Sequence, residues 1–166
     1  RGSLSKQVIK KYALDKNSDV PKFGLGMKEI WEIEPENHEE GTVTHTMGWP
    51  LGNNAGGGSF IYHLDNNQIY VGFVVHLNYK NPHLFPYMEF QRFKHHPKIS
   101  KLLQGGKRVA YGARAISEGG WQSIPKVVFP GGALLGCSAG LVNVPRIKGN
   151  HNAMISGIEA AEAAAI

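Results

Sequence analysis

The chain contains a single cysteine, Cys137. One thiol cannot close a disulfide within the chain, nor build a cysteine-based zinc or iron–sulfur site from these residues alone. Long apolar runs are also missing: none approaches the roughly 20 residues that a membrane-crossing helix needs. No signal-peptide pattern stands at the start, although a chain that begins inside a motif would not show one. Lys and Arg form no block with interleaved aromatics, so the formal net charge of +5 is not a nucleic-acid signature. This modest basic balance suits an anionic membrane surface or an acidic protein partner, and charge does not choose between them. His, Asp and Glu nowhere take metal-ligand spacing; His95 and His96 are adjacent and point to different faces.

What is present is a chain of 166 residues, 42% apolar and 19% charged, long enough for a domain with a real core. Its 21 glycines exceed what turns require and cluster at 56–58, 105–106, 119–120 and 131–132. Leu4, Val8, Ile9, Tyr12 and Ala13 fall on one face of a helix predicted over Leu4–Leu14. Alternation predicts strands over Phe23–Glu34 and Thr42–Trp49, each with one buried face. Gly58–Leu64 and Gln68–Leu77 flank Asp65-Asn66-Asn67 as a hairpin. Asn81–His96 reads as helical after Pro82 and Pro86, Pro97–Leu103 as a second short helix, and Lys107–Ser117 as a further strand broken by Glu118-Gly119-Gly120. The sum is an α+β fold, an antiparallel sheet of about five strands with helices on one face or end.

The end of the chain follows another logic. Lys126–Phe129 and Ala133–Leu135 lead through a small-residue loop, Gly136–His151, into a helix over Asn152–Ile166. Small residues let a ligand approach the backbone, and first-turn N–H groups point at it, so strand, loop and helix make an anion site. Asn150-His151-Asn152 carry no carboxylate that would repel a phosphate or a reduced flavin. The same loop could also be a plain turn without a ligand. Ala153, Gly157, Ala160, Ala161 and Ala164 could pack tightly on a sheet or simply reflect helix propensity. No dinucleotide fingerprint precedes the loop, which suggests half of a cofactor site.

Gly56-Gly57-Gly58 admits two readings: a bulge or tight corner, or exposed backbone donors beside an apolar slot, suited to a flat ligand with only carbonyl acceptors. The stripe Phe85, Tyr87, Met88, Phe90 and Phe93 with Arg92, Lys94, His95 and His96 is a core helix with a solvated side or a membrane-surface helix. Lys107–Arg114 could hold a catalytic Arg or Tyr, or be a strand with a charged outer face. Cys137 has no neighbouring base in the sequence to make it a nucleophile.

Long and unusual stretches carry a resemblance: RGSLSKQ (Arg1–Gln7), GLGMKEIWEI (Gly24–Ile33), GWPL (Gly48–Leu51), GGSFIYHL (Gly57–Leu64), EFQRFKHHP (Glu89–Pro97), GGKRVAYGARAISEGGWQSIPK (Gly105–Lys126) and FPGGALLGCSAGLVNVPRIKGNH (Phe129–His151). Nearly end to end, the chain resembles an internal segment of the electron-transfer flavoprotein–ubiquinone oxidoreductase family. The resemblance implies a flavoenzyme attached peripherally to a bacterial or mitochondrial inner membrane. Such an enzyme takes electrons from reduced electron-transfer flavoprotein, passes them through a 4Fe-4S cluster and FAD, and reduces ubiquinone. The family's FAD fingerprint lies before this segment and its cluster cysteines after it, so the chain is expected to be a truncated piece, inactive alone. By the same resemblance, 1–22 is the helix leaving the FAD domain, 23–125 the ubiquinone-binding domain and 126–166 a C-terminal FAD-domain segment.

Carried over by position, Gly57 and Gly58 match the glycine pair that donates backbone hydrogen bonds to a ubiquinone carbonyl. Gly136, Cys137, Ser138, Gly140, Gly149, Asn150, His151 and Asn152 match the segment closing over FAD. Many related flavoproteins have Gly-Asp where this chain has Gly136-Cys137, and the family has Thr-His-Thr after the Lys-Gly that here is Lys148-Gly149, where this chain has Asn150-His151-Asn152, so backbone rather than side-chain contacts carry over. No residue is expected to act as a nucleophile or general base, because the cofactor does the chemistry. Two other readings remain: a stand-alone quinone or membrane-surface binding module, and a related flavin-dependent reductase of isoprenoid lipids. The GGKRVAYGAR and SIPK stretches speak against the last.

Overall fold

Alternating apolar residues set the strands, and strand register decides which side chains meet. The computed structural model describes residues 3–165. Within it, α1 (Ser3–Tyr12) precedes β1 (Phe23–Glu32), β2 (Val43–Thr46), β3 (Gly57–His63) and β4 (Gln68–His76). Next come α2 (Pro86–Lys94), α3 (Pro97–Leu103) and β5 (Lys107–Ser117), then β6 (Val128–Phe129), β7 (Gly132–Ala133) and α4 (Asn150–Ala164). The five-stranded sheet has the order β2-β3-β4-β1-β5, and the pairings of β1 with β4, β4 with β3 and β3 with β2 are antiparallel. The predicted α+β class is the one observed. By contact, the chain divides into two compact units: Gly24–Ala115, and the chain up to Phe23 together with Ile116 onward.

In the first unit, β4 lies at the centre and buries Ile69, Val71, Phe73 and Val75, every second residue. Across the sheet these align with Trp31, Glu29, Met27 and Leu25 on β1, and with His63, Ile61, Ser59 and Gly57 on β3. This face receives the helices. Phe73 stacks on Phe90 and Phe93, with ring centroids 5.9 and 5.5 Å away, and Ile99 and Leu103 of α3 complete the core. The opposite face carries Gly58, Phe60 and Tyr62 beside Val74, Gly72 and Tyr70.

One inward position on β1 is a carboxylate. The Glu29 side chain is only 3% exposed and binds Lys94 Nζ at 2.8 and 3.0 Å. Trp31 Nε1 donates to it at 2.8 Å and Arg108 Nη1 at 3.1 Å. Burial alone would raise its pKa, but the bonds from Lys94, Trp31 and Arg108 prevail and hold it below the usual carboxylate value.

In the second unit, Leu14, Leu134 and Ala139 form a small core flanked by Val8, Ile9, Val127, Phe129 and Leu141. Tyr12 stacks on Phe129 at 5.3 Å. β6 and β7 pair as a short hairpin around Pro130-Gly131, so the predicted strand into the loop is two short arms.

Several predicted bounds shift for local reasons. α1 ends at Tyr12 because Ala13 turns left-handed (φ 47°), which sends Leu14 into the core while Leu4 stays exposed. Of the two starts expected after Pro82 and Pro86, the helix takes the later, at Pro86, since Asn81 closes a turn, accepting from His83 N–H and Leu84 N–H. β2 is four residues long and largely exposed rather than half-buried, a short polar edge that discourages further pairing. α4 starts at Asn150, two residues early, and buries no residue, so its alanines do not pack on a sheet among the described residues. The predicted end of that helix, Ile166, lies outside the described residues.

Replacing Glu29 by Gln keeps the shape but leaves Lys94, 12% exposed, without its counter-charge. Glu29→Gln is expected to cost about 3 kcal/mol, the usual loss when one member of a buried pair is removed. Urea unfolding at pH 7 checks this. Because the native value is depressed, the stabilisation is present above the unfolded value of 4.5 and fades as pH falls through the lower native one.

Candidate functional site

The glycine pair stands where β3 begins. A Cβ on Gly57 would strike the carbonyl oxygen of Val74 on the central strand and Leu51 Cδ1. A Cβ on Gly58 would lie 2.8 Å from the Thr46 carbonyl oxygen at the end of β2. Both positions therefore require glycine for close backbone approach, as the corner reading supposes. The donor reading narrows. His76 N–H donates to the Gly56 oxygen at 2.9 Å, and Gly57 lies opposite Val75. Antiparallel alternation then turns the Gly58 N–H toward β4 and the Gly57 N–H away from it. β2 stops at Thr46, opposite Ser59, so the Gly57 amide projects past the end of the neighbouring strand. Of the pair, Gly57 is the one whose backbone donor points away from β4.

Farther along β3, Tyr62 shares the face of Gly58, whereas His63 shares that of Gly57. Tyr62 OH lies 3.1 Å from His45 Nε2. His63 accepts from the Glu39 N–H at 3.0 Å; burial and the nearby His38 depress its pKa, more than Glu39 raises it.

The loop from Gly136 to Asn152 folds onto the start of α4. Gly136 (φ 50°) donates its N–H to Ser156 Oγ at 3.1 Å, and a Cβ there would come within 2.9 Å of Ala153 Cβ. Its carbonyl accepts from Ala139 and Leu141 N–H, both at 3.1 Å. Asn143 and Lys148 pair across a tight turn, which brings Gly149 to the N-cap of α4. Asn152 spends its side-chain amide on the Leu141 oxygen at 2.8 Å, fixing the loop to the helix. Asn150, His151 and Asn152 form a first turn without an acidic residue and without a side-chain cap. Their orphan N–H groups and the helix dipole favour an anion. This donor set fits a phosphate or a reduced flavin, so the loop can hold part of an FAD. Gly136, Cys137, Ser138 and Gly140 lie in one turn against it, with Cys137 exposed.

Two groups escaped the sequence reading. The Glu29 cluster was signalled only by a carboxylate at the inward parity of β1, between Met27 and Trp31. Glu118 is buried directly after β5, its N–H bonded to the Lys22 oxygen at 2.8 Å. Its neighbour Ser117 packs beneath Gly140, 3.8 Å from where a Cβ would stand. Burial pushes the Glu118 carboxyl up to about 7.

The chain matches the family described as ETF-QO, ubiquinone-binding, over residues 23–116. It is 58% identical over 165 residues to the electron transfer flavoprotein-ubiquinone oxidoreductase of Pseudomonas aeruginosa, a match covering 99% of this chain and 30% of that protein. To the human mitochondrial protein of that name it is 56% identical over 163 residues, covering 97% and 26%. The chain thus spans less than a third of the length of these relatives. Among solved structures, a geranylgeranyl bacteriochlorophyll reductase-like protein from Thermoplasma acidophilum superposes with a TM-score of 0.63 at 18% identity, over 85% of this chain and 33% of that one. A triple mutant of a flavin-dependent brominase gives 0.66 at 15% identity, over 98% and 41%. At these identities the likeness is one of fold.

Because its native value is raised, Glu118 permits full stability below the unfolded value of 4.5, and stability is lost as pH rises through about 7. Glu118→Gln is expected to flatten that slope, raising stability at pH 8 and changing it little at pH 4.5. Denaturant titrations across this range check it.

Proposed function

The chain belongs to the ubiquinone-binding family of electron-transfer flavoprotein–ubiquinone oxidoreductases, and on that premise we propose that it is the quinone-binding part, with a flavin-contacting segment, of such an enzyme. The whole protein takes electrons from reduced electron-transfer flavoprotein and delivers them to ubiquinone. The observation that carries this reading is identity above half over almost the full chain to bacterial and mitochondrial proteins of that name. The Gly57 amide, pointing away from β4, supplies the matching geometry.

In this reading the quinone head rests at the start of β3. Gly57 N–H donates to a quinone carbonyl, and the missing side chains at 57 and 58 let the ring approach the strand. A quinone offers only acceptors, so a backbone donor suffices to orient it. The first-turn amides of Asn150, His151 and Asn152 would hold the anionic parts of FAD, while Gly136, Cys137, Ser138, Gly140 and Gly149 would keep the backbone close to it. Asn152 positions that loop through Leu141. When bound, FAD supplies the electron-transfer chemistry. The 4Fe-4S cluster implied by the family takes its ligands from outside this chain, which holds one cysteine. No described helix is long and apolar enough to cross a membrane.

The test uses the full-length protein. Gly58→Ala forces the Thr46 carbonyl at the end of the short exposed strand β2 to shift, a milder disturbance than at 57, where a side chain would collide with the central strand and with Leu51. Gly58→Ala is expected to raise the KM for a short-chain ubiquinone about tenfold, the effect of roughly 1.4 kcal/mol. Reduction of the protein's own flavin by reduced electron-transfer flavoprotein should be unchanged. An unaltered quinone KM contradicts the reading, and equal loss in both half-reactions reports damage to the fold instead.

A further inference from the structure

Beside the helical layer, the sheet is left open along β5. Between β1, β5 and the start of α2 lies a cleft of about 540 Å³, within the size range of small-molecule sites. Leu25 and Met27 form its floor, and Phe85, Tyr87 and Tyr111 its walls. All three wall rings are substantially exposed, Tyr111 by 80%. Aromatic surface gathered around one hollow is the usual mark of a binding site.

The cleft has one charged end. Arg108 and Glu29 both line it, but the Glu29 oxygens are already occupied by Lys94, Trp31 and a single Arg108 N–H. One carboxylate against Lys94 and Arg108 leaves an excess positive charge. Arg108, 42% exposed, rests over the Tyr111 ring with its Cζ 5.2 Å from the centroid. A guanidinium carries five N–H donors, so Arg108 retains capacity for an anion. The buried carboxylate also holds it in place, which lowers the cost of ordering it on binding. Lys28 does not share this role, since its ammonium lies over Tyr70 on the other face of the sheet.

We propose that this cleft binds a small anionic amphiphile, a single alkyl chain bearing a carboxylate or phosphate. The chain covers the aromatic walls and the head group pairs with Arg108. A hydrocarbon would fill the apolar part without engaging Arg108, and a quinone carbonyl could accept from it only as a neutral group, whereas an anionic head also meets the excess positive charge and makes the stronger, charge-assisted bond. The cleft is also separate from the glycine pair. Gly57, Val75 and Leu25 stand in one row across the sheet, with the fully buried Val75 between the two sites. The proposal therefore does not depend on where quinone binds.

A photoreactive fatty acid carrying an alkyl diazirine tests this in the full-length protein, against the matching fatty alcohol and against a diazirine phosphatidylglycerol in vesicles. The acid is expected to label residues within 85–87 or 111–113 at least tenfold more than the alcohol does, and dodecyl phosphate should displace it. Arg108→Gln should reduce the acid to the level of the alcohol. Gly112→Leu should abolish labelling by both; Gly112 lines the cleft and a Cβ there meets nothing within 4 Å, so the side chain fills the hollow without strain. Labelling by the vesicle lipid at the same residues, lost in Gly112→Leu, identifies a bilayer lipid as the source, and labelling by the acid alone identifies a free amphiphile. Equal labelling by acid and alcohol, absence of labelling at these residues, or labelling that survives Gly112→Leu overturns the proposal.

Discussion

The carboxylate of Glu29 joins three elements that the chain delivers far apart. It projects from β1 into the helical layer and binds Lys94 at the end of α2 and Arg108 near the start of β5. A buried carboxylate is costly unless its oxygens are filled, and here Trp31, Lys94 and Arg108 fill them. The aromatic core beside it, Phe73 against Phe90 and Phe93, requires that same placement of α2. The open cleft along β5 has its charged end because Arg108 is drawn to this point.

Against that fixed layer, the proposed quinone contact asks little of side chains. Strand register at Gly57, the early end of β2 and the absence of a Cβ produce a backbone donor directed away from β4. The loop proposed to contact flavin uses the same economy: Gly136 lies close on α4, Asn152 fastens the turn, and helix amides remain for an anion. Such sites suit electron transfer, in which the protein places cofactors and substrates and the cofactors react.

Periodic local patterns were legible in the sequence. β1, β5 and the β3–β4 hairpin follow from alternation and from Asp65-Asn66-Asn67, and the Gly136–His151 loop from its small residues ahead of a helix. The start of α2 was legible only to within Pro82 or Pro86, because Asn81 can serve a turn as readily as a helix cap, and local composition does not decide between them. β2 was overextended because an edge strand lacks the burial that enforces alternation. The Glu29 cluster was not legible, since Lys94 and Arg108 lie 65 and 79 positions away, and pairing at that range depends on the packed fold. Nor was Glu118, whose raised pKa arises from burial that no local pattern announces.

The central claim is that quinone meets this chain at the Gly57 amide. Residue-resolved hydrogen exchange on the full-length protein, with and without a short-chain ubiquinone, tests it most directly. Quinone should slow exchange at the Gly57 amide, which points away from β4, and leave the ladder amide of Gly58 nearly unchanged. Quinone binding that protects amides elsewhere and leaves Gly57 unaffected would contradict the account.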